Sequence, residues 1–540
     1  MRITITNEAG RTWIGEIDRI TEEMLTPGGK LRIAASVPVA ETASVWHPDC
    51  RTIQPMNLPW SFRFASGASR AMPLVVFLDQ RYGVTCALGL GDGIDDCLVT
   101  ADMNQESCCY EVVFTLATAE GTIPFAIFSD ISHRPLEDVL RDYRALLMPE
   151  RPVYPDAAWL PVYCTWYAVH AALNMEYLRS NAKAAAELGF GTFIVDDGWC
   201  VDEDKRVTPQ TLPDWYRDIG DWKLASKLAG MADAVREAHA LGLRYLFWVA
   251  PFFSGRRSAL DAKATRFLTE LHEGQRIYDP EDTVAAKETM DSIGRIVREM
   301  DLDGIKIDFV DAVQPDPERP RCRAVKRYLE TLIDRIRADK PDALIEFRQR
   351  YATPTNAALA TAFRAADVPF DYLENFSRCV QLRLLLGDGI PIHADPVYFD
   401  PAESVEAVGR HLIATLVGVP MLSMELRTLS EAHRRVIRNY IEFYRHHRRT
   451  LNFGHWIVKP HNGFAAWVRC CDEKQSVVIL TDPLRLAEAV GDTSGSVVVL
   501  NLTPEPLTLP GARAFDAQGT TCGEVAPSGG RLEREENRIG

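Results

Sequence analysis

Residues 303–309 have the sequence Asp-Gly-Ile-Lys-Ile-Asp-Phe, and this short stretch shows the pattern that organises the middle of the chain. Periodic apolar residues indicate a helix before it, over Val284–Met300, and another after it, over Cys322–Ala338. A short apolar strand between two amphipathic helices is typical of parallel sheets, because helices cover both faces of such sheets. The stretch therefore predicts one buried strand of an α/β fold, over Gly304–Phe309.

The same alternation of strand and helix extends in both directions, from about residue 158 to about residue 450. The eight strand candidates are Pro161–Trp166, Thr192–Asp196, Arg244–Ala250, Gly304–Phe309, Leu344–Phe347, Ala362–Ala366, Ile390–His393 and Pro420–Met424. Only the stretch between the fifth and sixth strands lacks the pattern of a long helix. Eight βα units over this length predict a closed (β/α)₈ TIM barrel. The alternative is an open doubly wound sheet, but no Gly-x-Gly-x-x-Gly motif follows the first strand to favour it.

The flanking regions have a different pattern, with short apolar runs separated by Gly and Pro. Such runs before residue 150 predict an antiparallel β-sandwich. Similar runs after residue 450 predict a small β domain. We therefore expect an N-terminal β-sandwich domain over 1–150, a catalytic barrel over 151–450 and a C-terminal β-sandwich domain over 451–540. The charged run Arg531–Arg538 is expected to be a solvated, frayed tail.

The composition of the chain argues against several classes of partner and site. The 75 Asp and Glu outnumber the 60 Lys and Arg, and this net charge of −15 argues against a nucleic-acid partner and fits a small neutral molecule. No apolar run approaches the roughly 20 residues that cross a bilayer, and the first residues lack a secretory pattern, so we expect a cytoplasmic protein without a membrane partner. The twelve cysteines have no metal-ligand spacing, so neither a zinc site nor a disulfide framework is expected. A homo-oligomer is left open.

Polar and aromatic side chains collect where the predicted strands end, and barrel enzymes bind substrate at those ends. Carboxylates and cations hydrogen-bond sugar hydroxyls, and indole rings cover the apolar face of a sugar ring, so the set predicts a carbohydrate site. In order of the strands, the candidates are Asp196, Asp197 and Trp199, then Trp248, then Lys306 and Asp308, then Arg348, then Arg364 and Asp367, and finally His393 and Asp395.

Lys306 and Asp308 are two residues apart on one strand, so both side chains face the barrel interior. A neighbouring ammonium favours the ionised form of Asp308, which is the form that a glycosidase nucleophile requires. Asp367 is the candidate for the second carboxyl, which acts as acid and then as base. Asp371 is its main rival, and Asp311 is a candidate supporting carboxylate. The alternative is that Lys306 and Asp308 form only a structural ion pair.

At these residues the chain resembles the melibiase clan of α-galactosidases, in particular the bacterial branch of glycoside hydrolase family 36. The matching pieces occur in the family's order over about 160–450. They are Asp196-Asp197-Gly198-Trp199, Gly220-Asp221-Trp222-Lys223, Leu246-Phe247-Trp248, Asp303–Asp308, Phe363–Asp367, and Leu382–Gly389 with His393-Ala394-Asp395. The resemblance implies Asp308 as nucleophile and Asp367 as general acid/base. It also implies that Asp196, Asp197, Lys306 and Arg364 bind sugar hydroxyls and that Trp199 and Trp248 shape the pocket.

Two segments depart from the family pattern. Many members have a segment rich in Cys and Gly after strand five, which contacts the C2 substituent of the sugar, whereas this chain has Glu346-Phe347-Arg348-Gln349-Arg350-Tyr351. Here Arg348 and Arg350 are candidates for contact with a hydroxyl or an anionic group. Strand three ends in Ala250-Pro251, where relatives often have an acidic residue. These departures concern the choice of substrate more than the mechanism.

The resemblance implies a retaining, exo-acting α-galactosidase that needs no metal or organic cofactor. Three alternatives stay open: an α-glycosidase for another sugar (N-acetylgalactosamine, glucose or xylose), a transglycosylase, and a sugar-binding barrel without activity. The two carboxyl groups of a retaining pair are expected to lie about 5–5.5 Å apart.

Overall fold

A computed structural model describes residues 1–49, 54–55, 61–491 and 495–535. Its centre is a barrel of eight parallel strands, which run in chain order around the ring. The first strand also pairs with the eighth, and the bridges His393–Val419 and Val397–Leu422 connect the seventh with the eighth. The predicted barrel is thus confirmed. Its strands, numbered one to eight below, are Val162–Cys164, Thr192–Val195, Arg244–Val249, Gly304–Ile307, Leu344–Arg348, Ala362–Arg364, Ile392–His393 and Met421–Leu422.

Amphipathic helices surround the barrel, and their apolar faces pack against the strands. Between strands five and six the chain forms only short 3₁₀ turns, as expected from the missing helix pattern. Side-chain oxygens of Asn174, Asp282, Asp371, Ser404 and Ser430 accept amide hydrogen bonds at the N-termini of five helices, which fixes where those helices begin. The helices between Trp166 and Phe453 are Trp166–Val169, Met175–Glu187, Met231–Ala240, Ala259–Lys263, Thr283–Glu299, Cys322–Asp339, Tyr372–Leu386, Val405–Thr415 and Glu431–Phe453.

Two antiparallel sheets precede the barrel and enclose a common apolar core, which forms the predicted sandwich. The six-stranded sheet has the order Thr12–Gly15, Ile3–Asn7, Gly29–Pro38, Cys109–Thr118, Cys97–Asn104 and Phe62–Ser66. The five-stranded sheet has the order Ile127–Asp130, Val84–Leu90, Leu74–Leu78, Ser44–Trp46 and Gln54–Pro55. The helix Leu136–Leu147 connects the sandwich to the barrel.

A mixed seven-stranded sheet follows the barrel. Its strands are, in order, His455–His461, Phe464–Cys471, Gln475–Leu480, Ser496–Asn501, Arg531–Arg534, Arg513–Phe515 and Thr521–Gly523, with Leu507–Thr508 and Val525–Ala526 paired beside it. The prediction of a frayed tail was wrong for Arg531–Arg534. This stretch pairs with two strands and buries Leu532. The prediction considered the charged residues around Leu532 and not the burial of this apolar side chain. Residues 536–538 of the predicted tail lie outside the described residues.

The N-terminal sandwich contacts the barrel beside the ends of strands four and five. Asp96 accepts hydrogen bonds from the amides of Asp316, Arg321 and Cys322 at 2.9–3.0 Å, just before and at the start of the helix after strand four. The Ala71 amide donates to the Arg350 carbonyl at 2.6 Å. The sandwich therefore holds the segment after strand five, where the sequence departs from the family pattern.

Within the described ranges, no helix combines the length and the apolar character needed to cross a bilayer.

Candidate active site

Asp308 follows strand four and lies in a buried position with fixed partners. Its amide donates to the carbonyl of Val249 on the neighbouring strand at 2.7 Å, which ties its backbone to the sheet. Its side chain accepts hydrogen bonds from Trp248 Nε1 at 2.9 Å and from the Phe309 amide at 2.8 Å. Phe309 has a φ of 53°, a left-handed conformation that costs a non-glycine residue about 1–2 kcal/mol. This turn directs the Phe309 amide towards the Asp308 carboxylate.

Three cations surround Asp308. Arg348 Nη1 donates to Asp308 Oδ1 at 2.7 Å, and Lys306 Nζ lies 3.7 Å from Asp308 Oδ2. Burial opposes ionisation of Asp308, but Arg348, Lys306 and Arg364 outweigh it, and they hold the pKa of this carboxyl below its usual value. Asp308 is therefore an ionised, oriented carboxylate at neutral pH, which is the state that nucleophilic attack requires.

Asp367 follows strand six in the loop at the barrel mouth. Its side chain is 49% exposed, compared with 5% for Asp308. Arg364 Nη2 donates to Asp367 Oδ1 at 3.0 Å and Arg348 Nη2 donates to Asp367 Oδ2 at 2.7 Å. Partial burial opposes ionisation of Asp367, but the two guanidinium groups and Lys306 outweigh it and lower the pKa of this carboxyl. With Arg348 in this position, Asp367 is ionised and carries no proton.

Arg348 connects the two carboxylates. One terminal nitrogen of its guanidinium bonds Asp308 and the other bonds Asp367, each at 2.7 Å. The guanidinium also lies over the Phe309 ring, with its carbon 5.3 Å from the ring centroid. Asp308 and Asp367 are therefore linked through the two terminal nitrogens of one guanidinium group, at the mouth of the barrel.

Asp196 and Asp197 form the wall on the other side of Lys306. Lys306 Nζ donates to Asp196 Oδ2 at 2.6 Å, so one ammonium contacts both Asp196 and Asp308. Trp215 Nε1 donates to Asp197 Oδ2 at 2.6 Å. Burial raises the pKa of Asp197 to about 6 despite this hydrogen bond. Both carboxylates are almost fully buried, so they offer oriented hydrogen-bond acceptors at the base of the site.

The two tryptophans predicted to shape the pocket, Trp199 and Trp248, have different contacts in the structure. Trp248 lies on strand three and contacts Asp308 directly through its indole nitrogen. Trp199 is fully buried, and its indole nitrogen donates to the Trp248 carbonyl at 2.7 Å. Trp222 packs against both rings, with its centroid 6.2 Å from that of Trp199 and 5.9 Å from that of Trp248. Trp199 therefore supports the strand that carries Trp248.

Arg364, His393 and Asp395 belong to one buried network below Asp367. Arg364 Nη1 donates to Asp395, and Arg364 Nε lies 3.7 Å from Glu346 Oε1. His393 Nδ1 lies 2.6 Å from Glu346 Oε2. Only 3% of the Arg364 side chain is exposed. Arg364 is thus fixed from below, and His393 takes part in the support of this network through Glu346.

The other candidate carboxylates have structural partners. Asp371 accepts the amides of Leu373 and Glu374 at 2.9 and 3.1 Å, as the N-cap of helix Tyr372–Leu386. This cap explains Asp371 without catalysis and favours Asp367 of the two. Asp221 accepts hydrogen bonds from the amides of Ala259 and Leu260, at the start of helix Ala259–Lys263.

Asp311 and Arg350 lie beside the site, next to the N-terminal sandwich. Arg350 Nε is 3.8 Å from Asp311 Oδ2, and Arg350 Nη1 is 3.9 Å from Asp49 Oδ1. Arg70 donates to the same Asp49 carboxylate at 2.6 Å. Burial raises the pKa of Asp311, whereas Arg348 opposes that rise. Arg350 therefore contacts neither Asp308 nor Asp367.

Sequence reasoning missed two residues of this site, Tyr167 and Trp215, and the role of a third, Glu346. The Tyr167 hydroxyl donates to Asp395 Oδ2 at 3.0 Å, and Trp215 donates to Asp197. Tyr167 and Trp215 lie in the segments after strands one and two, where no periodic pattern predicts a direction. Glu346 alternates with Arg348 on strand five, and that period of two could have indicated that both face inward.

Comparison with known proteins identifies related sequences and folds. Residues 126–319 match the Melibiase family model. The matched region includes strands one to four, and with them Asp196, Asp197, Lys306 and Asp308. The resemblance to the melibiase clan is thereby confirmed.

Among curated proteins, this chain is 22% identical over 350 residues to α-galactosidase AgaA of Geobacillus stearothermophilus, covering 58% of this chain and 45% of that protein. It is 29% identical over 117 residues to an α-galactosidase of Escherichia coli, covering 22% of this chain and 16% of that protein. The chain thus spans less than half the length of these curated relatives.

Solved structures share the fold. The family 36 α-galactosidase AgaA of Geobacillus stearothermophilus superimposes with a TM-score of 0.63 at 15% identity, over 86% of this chain and 71% of that one. AgaB of the same organism gives 0.62 at 16% identity, over 87% and 71%. At this identity the likeness concerns the architecture, which is a sandwich followed by a barrel.

Proposed function

We propose that this protein is a retaining exo-α-glycosidase that hydrolyses terminal α-linked galactose-like sugars. The observation that carries the proposal is the pair of carboxylates at the barrel mouth, Asp308 and Asp367, which bond to the two terminal nitrogens of Arg348. One is buried and held ionised, and the other lies beside solvent, where it can exchange a proton. Retaining glycosidases need two adjacent carboxyl groups, one that stays ionised and one that can take up and release a proton.

In the proposed reaction, Asp308 attacks the anomeric carbon while Asp367 gives its proton to the departing glycosidic oxygen. A glycosyl ester of Asp308 forms and the leaving alcohol departs. Asp367, now a carboxylate, removes a proton from water, and that water attacks the anomeric carbon and releases Asp308. Two inversions give net retention of configuration. Trp248, Lys306 and the Phe309 amide hold the Asp308 carboxylate in place for attack.

Galactose is the sugar that the relatives favour. The curated proteins with similar sequence are named α-galactosidases, and variants of AgaA have been solved in complex with stachyose and raffinose. In this chain, the buried acceptors Asp196 and Asp197 suit the hydroxyls of the terminal sugar. Arg364, His393, Asp395 and Trp199 then support the residues that contact the sugar.

The test is a panel of nitrophenyl α-glycosides of galactose, N-acetylgalactosamine, glucose and xylose, with the first-formed anomer followed by NMR. We expect the galactoside to have the highest kcat/KM and to release α-galactose first. A first-formed β anomer would exclude retention. No turnover of any glycoside would support the sugar-binding barrel instead, and transfer products with added sucrose or raffinose would identify a transglycosylase.

We also propose that the protein acts in the cytoplasm as three domains with boundaries near residues 150 and 450. The cysteines in the described residues are free thiols, which a reducing compartment maintains. Cell fractionation tests the location, and limited proteolysis tests the boundaries.

A further inference from the structure

The proposed reaction requires a proton on Asp367, but the arrangement around this residue favours its ionised form. Arg348 and Arg364 both donate to its side chain, and Arg378 Nη1 donates to its backbone carbonyl at 2.6 Å. Lys306 adds a further positive charge, while Asp308 and Asp395 add negative ones, and the Tyr167 hydroxyl lies close enough to interact. A carboxylate that accepts two guanidinium hydrogen bonds is a poor proton donor. Some contact must change before bond cleavage.

The two guanidinium groups differ in their freedom to move. Arg364 is fixed by Asp395 and Glu346, and 3% of its side chain is exposed. Arg348 is 16% exposed and lies over the face of Phe309, and its two carboxylate partners are the residues that the substrate must reach. Release of Arg364 would leave Asp395 buried without its cation, which is strongly unfavourable. Arg348 is therefore the group that can leave Asp367.

Arg348 also occupies the space between the carboxylates that a reacting sugar needs. The anomeric carbon must lie next to Asp308, and the glycosidic oxygen must lie next to Asp367. A planar group bonded to both, at 2.7 Å from each, fills that gap. A sugar cannot enter it until Arg348 gives up at least the bond to Asp367. Sugar hydroxyls are hydrogen-bond acceptors, so they can replace Asp367 as the partner of Arg348.

We propose that Arg348 is a positioning residue that links the binding of a sugar to the protonation of Asp367. An entering sugar displaces Arg348 from Asp367, and Asp367 takes up its proton only while the sugar is bound. This inference rests on the proposed function and adds to it. The proton comes from solvent, since Asp367 is the exposed member of the pair. It passes to the glycosidic oxygen as the bond to the anomeric carbon breaks and the bond from Asp308 forms. In the empty enzyme both carboxyl groups are thus ionised, and the guanidinium of Arg348 bonds both of them.

The consequence is measurable as a difference between two pH profiles. The kcat/KM profile reports groups in the free enzyme, whereas the kcat profile reports groups in the enzyme–substrate complex. The alkaline limb of each profile reports loss of the proton from the acid. A methyl α-galactoside is a suitable substrate, because its poor leaving group makes the acid-assisted step limiting.

In the wild-type enzyme we expect the alkaline limb of kcat/KM to lie more than about one pH unit below the alkaline limb of kcat. In Arg348→Met, removal of the guanidinium raises the pKa of Asp367 in the free enzyme. The limb of kcat/KM should therefore move to higher pH and meet that of kcat. Arg348→Lys keeps a positive charge and should retain part of the separation. The matched control is Arg335→Met, which removes an arginine paired with Asp291 on an outer helix and should leave both profiles unchanged.

The separation of the two limbs is independent of the fraction of folded enzyme, so a partly misfolded variant still gives a reading. Coincident limbs in the wild type would overturn the inference, as would an unchanged separation in Arg348→Met. A uniform loss of rate in Arg348→Met without movement of either limb would show a purely structural role. If the wild type turns over no glycoside, the proposed function itself fails, and that outcome is distinct from all of these.

Discussion

The surroundings of Asp308 and Asp367 differ in almost every respect that matters for catalysis. Asp308 is tied to the sheet through its amide, and its carboxylate is bonded by an indole and a backbone amide that cannot move independently of the barrel. Asp367 lies in a loop with half of its side chain exposed, and its partners are arginine side chains. Rigid donors suit a nucleophile, whose charge must be constant until it attacks. An exposed loop suits a group that exchanges a proton with water twice per turnover.

The two regions also differ in whether the hydrogen-bond donors around the carboxylate can move. The indole and backbone-amide donors to Asp308 are fixed before the substrate arrives, which is the condition for electrostatic stabilisation of a reacting group. Around Asp367, the charge depends on where one arginine side chain lies. The following predictions test this contrast, in order of decreasing effect.

Removal of the nucleophile should have the largest effect. We expect Asp308→Ala to lower kcat by on the order of 10⁴-fold or more, because no glycosyl ester can form. Azide should restore part of the rate and give a glycosyl azide of inverted configuration, since it attacks from the side that Asp308 vacates. The measurement is nitrophenolate release with product NMR. Activity near that of the wild type would remove Asp308 from the mechanism.

Removal of the acid should have an effect that depends on the leaving group. We expect Asp367→Ala to lower kcat/KM by about 10²- to 10⁴-fold for a methyl or sugar leaving group. The loss should be much smaller for 2,4-dinitrophenolate, which departs without a proton. Azide should give a product of retained configuration, because the Asp308 ester still forms. Asp371→Ala is the matched comparison, and we expect it to affect helix stability through loss of an N-cap. An equal loss for all leaving groups in Asp367→Ala would contradict the assignment.

The smallest expected effect is on how the stability of the fold depends on pH. The folded pKa of Asp308 is depressed, so its ionisation stabilises the fold above the unfolded pKa of about 4, and this contribution is lost as pH falls through the lower folded pKa. The Tm of the wild type minus the Tm of Asp308→Asn should therefore decrease as pH falls from 6 towards 3. Calorimetry at several pH values measures it. A difference that is constant with pH would show that the surrounding cations do not favour the charge on Asp308.

The fold and the buried half of the site were accessible from the sequence for specific reasons. Each barrel strand is a short apolar run between helical patterns, so all eight were located, and strand four gave Lys306 and Asp308 their common direction through the period of two. Asp367 was harder to identify from the sequence, because it lies beyond the end of a strand and Asp371 follows it closely as a second candidate. The N-cap of helix Tyr372–Leu386 distinguishes the two in the structure.

The one error in the prediction of the C-terminal region has a physical cause. Arg531–Arg534 has the composition of a tail, but pairing with two neighbouring strands and burial of Leu532 outweigh the charges. The last barrel helix spans Glu431–Phe453, so the charged run Arg445–Arg449 lies within it. Within that run, His447 Nδ1 bonds Gln475 Oε1 of the following sheet at 3.1 Å.

The sequence by itself determined the barrel, the inward direction of Lys306 and Asp308, and the set of polar residues at one rim, because these depend on periodicity along one segment at a time. Only the tertiary structure decided that Arg348 bonds Asp308 and Asp367 together, that Trp199 supports Trp248, and that Tyr167 and Trp215 belong to the site. Those contacts join segments far apart in the chain. Their geometry depends on how the barrel closes, which no local pattern encodes.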